Sequence, residues 1–95
     1  MTSYTVDVNA AKGVRAKTTT ANVVDTVTFN ARVSVVEIIS MDGADEIYFT
    51  LDGTDPTVGG DNTYVMPAAL GSARVPVPGS GNTVFKMVTA TPVRY

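Results

Sequence analysis

The chain has 95 residues and a formal net charge of −2, and it contains no cysteine, histidine or tryptophan. That length supports a single domain. The missing cysteine and histidine exclude disulfides, thiolate metal sites, a cysteine nucleophile and the commonest general base, so we expect a non-enzymatic protein without a cofactor.

The first 20 residues contain small and polar residues and three of the chain's seven Lys and Arg. Their pattern is compatible with an arm that becomes ordered on a partner, or with a first strand at 4–8 followed by a basic loop. They lack the basic and apolar regions of a secretory signal, and no apolar run later in the chain approaches the roughly 18–20 residues that span a bilayer. We expect a chain that is made and used without Sec export, and no membrane partner.

Residues 21–95 show period-2 alternation and many β-branched residues, with no helical stripe. Clusters of Gly, Asp, Asn and Pro separate the alternating segments, as in β-sandwiches. The sequence therefore predicts one all-β domain, an immunoglobulin-like antiparallel β-sandwich of about seven strands. Its expected strands cover residues 23–29, 32–41, 46–51, 62–66, 73–77 and 83–89, with a short last strand within 92–95.

The segment 32–41 departs from simple alternation. Apolar residues are adjacent at Val35-Val36 and at Ile38-Ile39, so each face of the strand receives some of them. Such a slip indicates either a β-bulge or a strand that is covered on both faces.

Charge is unevenly distributed. All residues from 37 to 61 that carry charge are acidic, and they are Glu37, Asp42, Asp45, Glu46, Asp52, Asp55 and Asp61. An acidic centre with basic flanks could dock electrostatically on a complementary surface, or the acids could simply keep loops solvated. The few scattered cations cannot form a basic patch with interleaved aromatics, so we expect no nucleic-acid partner.

The most specific motif is the run 48–57, Y-F-T-L-D-G-T-D-P-T. Asp52 suits an Asx turn, Gly53 suits a positive φ, and Pro56 fixes the exit of the turn. With Asp55, and with Tyr64 on a short return strand, these residues form the predicted structural turn motif.

This run, together with Tyr64 and Pro67, resembles the chitobiase/β-hexosaminidase C-terminal-like domains. Those are small immunoglobulin- or fibronectin-like sandwiches, usually appended to larger proteins, and the resemblance implies a fold more than an activity. A looser resemblance extends through residues 36–39, 47–53, 59–65, 75–77 and 84–88 to small stand-alone virion proteins of tailed bacteriophages. It implies a capsid decoration (cement or accessory head) protein, or a tail or neck component, without catalytic residues. The implied partners are a major capsid protein or other virion protein, with the chain homo-oligomeric or lattice-bound.

Two other interpretations follow from individual side chains. Asp52, Asp55 and Asp61 lie on turns and are weak candidate Ca²⁺ ligands, although their spacing does not match an EF-hand loop. Exposed tyrosines, Tyr48 and Tyr64 among them, would suit a small carbohydrate-binding or adhesion module, whereas buried ones would fill the core.

Overall fold

The computed structural model describes residues 2–10, 13–14, 17–61, 63–77, 79 and 81–95. These residues contain seven β-strands and two short 3-10 helices. The 3-10 helices are Val8–Ala10 and Ala68–Leu70. The strands are β1 (Thr2–Val6), β2 (Asp25–Phe29), β3 (Val35–Ile39), β4 (Ile47–Thr50), β5 (Tyr64–Met66), β6 (Ser72–Pro76) and β7 (Val84–Val88). The strands predicted from alternation are present, mostly shorter than expected because turns take their first and last residues.

The strands form two sheets, which confirms the predicted all-β sandwich. One sheet has five strands in the order β1-β2-β7-β4-β5, and the other pairs β3 with β6. Four of the five ladders are antiparallel, while β1 runs parallel to β2, with Tyr4 opposite Val27. A parallel neighbour requires a long crossover, and the chain between β1 and β2 provides it.

The core lies between the sheets. It is formed by the inward side chains of each strand, and the best-buried of these include Ile47, Phe49, Met66, Phe85 and Met87. The ring of Phe49 stacks on Phe85 at 5.3 Å and on Tyr64 at 5.5 Å between centroids. Each fully buried side chain of this size contributes about 1.5–3 kcal/mol.

The C-terminal segment 93–95 extends the layer that contains β3. Tyr95 exchanges both of its backbone hydrogen bonds with Lys17, at 2.8 and 2.9 Å, and Thr19 N donates to Val93 O at 2.9 Å. Met41 N, just beyond β3, donates to Arg94 O at 2.8 Å. The short last strand expected within 92–95 thus pairs with residues 17–19, in a bridge between Thr18 and Arg94.

The first 20 residues contribute directly to the fold. Thr2–Val6 is an edge strand of the five-stranded sheet, residues 17–19 pair with the C-terminal segment, and Lys17 Nζ lies 5.2 Å from the centroid of the Tyr4 ring. Positions 1, 11, 12, 15 and 16 lie outside the described residues, and with them most of the predicted basic loop.

Candidate interaction surface

Strand β3 is regular and has only one covered face. Its ladder with β6 runs without a bulge from Val35 opposite Pro76 to Ile39 opposite Ser72. Val36 and Ile38 are buried in the core, whereas Val35 and Ile39 are 52% and 51% exposed. Neither sequence-based explanation of the slip in 32–41 therefore describes the isolated chain, because the ladder has no bulge and the side that carries Val35, Glu37 and Ile39 is uncovered.

The outward side chains of the two-stranded sheet form a continuous surface, which we call the β3–β6 face. Because opposite residues in a ladder share a face, it consists of three rows across the two strands, Val35 with Pro76, Glu37 with Arg74, and Ile39 with Ser72, followed by Met41. Met41 is 53% exposed, and Leu70 is exposed beside Gly71, whose carbonyl accepts a hydrogen bond from Ser40 N. Clustered apolar exposure of this kind is typical of interaction sites.

The middle row of the β3–β6 face is an ion pair. Arg74 Nε donates to Glu37 Oε2 at 3.3 Å, and the two side chains are 79% and 45% exposed. This contact uses one of the five N–H groups of the guanidinium. Within the described part of the chain, the terminal N–H groups of Arg74 have no acceptor, and the side chain is largely exposed to solvent.

A cleft of about 590 Å³ lies between the sheets on the side where β1 and β3 are the edge strands. Its lining includes the inward residues Val27, Phe29 and Ile38. It also includes residues from the exposed side of β3 and just beyond it, with Arg94 as a further charged residue: Val35, Glu37, Ile39 and Met41. The lining is apolar, so the cleft provides no cluster of groups for acid–base or nucleophilic chemistry.

The predicted turn motif has the expected local geometry. Asp52 Oδ1 accepts hydrogen bonds from Thr54 N at 3.1 Å and from Thr54 Oγ1 at 2.6 Å, and Gly53 has a φ of +86°. These bonds to Thr54 lower the pKa of Asp52 below its ordinary value. Pro56 is buried, and Asp55 Oδ1 lies 2.8 Å from Lys86 Nζ. The motif therefore shapes the β4–β5 connection and ties it to β7.

The candidate Ca²⁺ ligands Asp52, Asp55 and Asp61 do not form a cluster. Asp52 is occupied by Thr54 and Asp55 by Lys86. Within the ranges that the structure describes, no three acidic side chains lie close enough together to hold a metal ion.

The acidic run divides between the two ends of β4. Three acids precede the strand and three follow it: Asp42, Asp45 and Glu46 come before β4, and Asp52, Asp55 and Asp61 come after it. Two of the preceding acids hold the C-terminal segment, since Asp42 Oδ2 accepts from Arg94 N at 3.1 Å and Asp45 Oδ2 accepts from Thr91 Oγ1 at 2.9 Å. The predicted acidic centre is therefore not one patch.

Tyr48 and Tyr64 do not share a platform. Tyr64 is opposite the core residue Phe49 and stacks on its ring, while Tyr48 is opposite Val65. Because successive side chains on a strand point to opposite faces, the two tyrosines lie on different faces of the sheet. Tyr64 is exposed and Tyr48 is half-buried, and they cannot stack together on one sugar.

A buried polar pair escaped the sequence analysis. Asp25 begins β2 with 1% exposure and accepts a 2.6 Å hydrogen bond from the hydroxyl of Tyr95. Burial, with the hydrogen bond to Asp25 and its charge, raises the pKa of Tyr95 above its ordinary value of 10.0. The signal available was the acidic residue on the apolar face of an alternating strand, since a buried carboxylate requires a partner.

Comparison of the chain with protein-family models finds no matching family, and searches of curated proteins and of solved structures find no significant match. The resemblance to chitobiase-like domains and to phage virion proteins therefore stays a prediction. No helix in the described ranges has the length and apolar character needed to cross a bilayer.

Proposed function

We propose that this chain is a non-enzymatic structural protein of a bacteriophage virion, most specifically a capsid decoration protein bound to the capsid lattice. The observation that carries the proposal is the uncovered apolar face of β3. The strand carries apolar residues on both sides, but the isolated chain buries only Val36 and Ile38 and leaves Val35 and Ile39 exposed. A strand of this kind is suited to a protein that functions inside a larger assembly.

Two further features support the same proposal. The turn motif around Asp52 and Gly53, on which the resemblance rests, has the hydrogen bonds and the positive φ of a defined turn after β4. Four of the acids that had suggested Ca²⁺ binding or electrostatic docking hold loops or the C-terminal segment in place, and these are Asp42, Asp45, Asp52 and Asp55. Their local roles leave the apolar β3–β6 face as the main candidate for contact with other proteins.

The decisive experiment uses particles of the phage that carries the gene. Particles with and without the gene product are compared by cryo-electron microscopy, and purified protein is added back to the particles that lack it. We expect density on the head at a fixed number of copies per capsid. This density should be missing from particles that lack the gene product and should return when purified protein is added to them. Density confined to the neck or tail would support that variant, and absence of binding to any part of the particle would contradict a virion role.

A carbohydrate-binding or adhesion module remains the alternative from another class. Glycan-array binding that is abolished by Tyr64→Ala, with no binding to particles, would favour it. The separation of Tyr48 and Tyr64 onto different faces argues against a sugar platform built from both rings.

A further inference from the structure

We propose that the β3–β6 face binds the same face of a second copy of this chain, forming a two-fold dimer in which two β3–β6 sheets pack face to face. The inference rests on the proposed function because it takes this face to be an assembly surface. It goes further by naming the partner and the register of contact.

The charge pattern of the face selects a second copy as the partner. Glu37 and Arg74 lie side by side in the middle row, one on each strand. A two-fold axis parallel to the strands places β3 of one copy over β6 of the other, so that Glu37 meets Arg74 of the second copy and Arg74 meets its Glu37. The face is thus complementary to itself, as an isologous interface must be.

The alternative two-fold axis, perpendicular to the strands within the interface, is disfavoured. It would place Glu37 over Glu37 and Arg74 over Arg74, where like charges repel. When the two middle rows are superimposed, the charges therefore favour the axis parallel to the strands over the perpendicular one.

The rows on either side of the ion pair are consistent with this register. Val35 would lie over Pro76 of the second copy, and Ile39 over Ser72, with Met41 at the margin. These exposed side chains supply apolar area, which is the main source of association free energy. The unassigned N–H groups of Arg74 provide donors for the second carboxylate, so that the four charges can form one network.

Charge exchange tests this inference directly. Glu37→Arg and Arg74→Glu each give one copy two like charges in the middle row, so we expect each variant alone to associate at least about tenfold more weakly than wild type. Mixed together, the two variants should form a heterodimer, because each presents the charge that the other requires. The double exchange in one chain should also restore the dimer.

Analytical ultracentrifugation over a wide concentration range provides the measurement, starting from a monomer of 9.9 kDa. Val65→Arg is the matched control, because Val65 is exposed on the other sheet and lies outside the face. Circular dichroism establishes that every variant is folded. Folded wild-type protein that stays monomeric throughout, or single variants that associate as wild type does, would overturn the dimer.

Binding to phage heads distinguishes the dimer from the proposed function. A monomeric chain that still binds heads would overturn the dimer and leave the virion role intact. A chain that dimerises but binds no particle would support the dimer and contradict the virion role. If neither mixing the single exchanges nor the double exchange restores association in the ultracentrifuge, Glu37 and Arg74 do not pair across a two-fold axis, which also overturns the dimer.

Discussion

The outer faces of the two sheets have opposite characters. Hydroxyl side chains occupy much of the outer face of the five-stranded sheet near β1 and β2, and we call it the threonine face: it includes Ser3, Thr5, Thr26 and Thr28. Towards β5 the same sheet carries the buried Thr50 and the exposed Val65. The β3–β6 face instead exposes valine, isoleucine and methionine. Threonine keeps the β-branched shape that strands favour and tolerates water, so the first face suits solvent. The second face is better suited to a protein partner.

The largest expected effect is a difference in stability between substitutions on the buried side and on the exposed side of β3. Ile38→Ala, in the core, should lower the free energy of unfolding by about 2–5 kcal/mol because it leaves a cavity. Ile39→Ala, on the outer face, should cost no more than about 1 kcal/mol. Urea denaturation of dilute protein measures both. Equal losses would show that the outer face is covered within the monomer.

Converting the β3–β6 face into a second threonine face should abolish association. The triple variant V35T/I39T/M41T removes apolar area but retains or adds β-branched residues, so the monomer should stay folded. We expect binding to weaken about a hundredfold or more in the ultracentrifuge. Unchanged association would mean that these side chains do not contribute to the contact, and Val65→Thr is the control.

Removing the buried hydrogen bond between Tyr95 and Asp25 should cause an intermediate loss of unfolding free energy. Tyr95→Phe leaves the carboxylate of Asp25 in the core without its donor, and this should cost about 1–3 kcal/mol of unfolding free energy. The double variant D25N/Y95F tests the coupling, since its loss should be smaller than the sum of the single losses. Additive losses would contradict a direct interaction.

Tyr95 should also make the stability of the folded chain sensitive to alkaline pH. Its pKa is raised in the folded chain, so the neutral hydroxyl is favoured by folding, and this contribution is complete below the ordinary pKa of 10.0. As the pH rises above that value, the unfolded chain loses this proton first and stability falls. Thermal denaturation from pH 8 to 11 should show a steeper decline for wild type than for Tyr95→Phe.

The smallest effect concerns the threonine face. Thr26 Oγ1 is buried without a hydrogen-bond partner among the described residues. Thr26→Val removes this unsatisfied group and preserves the shape, so it should leave stability unchanged or raise it by up to about 1 kcal/mol. A clear loss of stability in urea would reveal a partner for the hydroxyl.

Alternation was sufficient to predict the strands of the core. The inward positions of β2 and β7 include Val27, Phe85 and Met87, which the structure buries, while Phe29 at the end of β2 is half-buried. The pattern could not predict the parallel pairing of β1 with β2, because pairing partners distant in sequence leave no mark on local alternation.

The candidate sites show a second limit of sequence analysis. Asp42 and Asp55 are close in the chain, but β4 separates their loops, so they cannot form one acidic centre. Apolar residues on both faces of β3 had indicated a bulge or a double cover, and only the register with β6 excluded the bulge. Side chains adjacent in sequence are therefore weak predictors of a shared site in a β-sandwich.

The pairing of residues 17–19 with 93–95 has a consequence for the order of folding. These segments are separated by almost the whole chain, and Val93 N also donates to Thr19 Oγ1. Contacts between residues so far apart form slowly, because most of the chain must be ordered before the loop closes. During synthesis on a ribosome, the layer that contains β3 can be completed only after Tyr95 has left the exit tunnel.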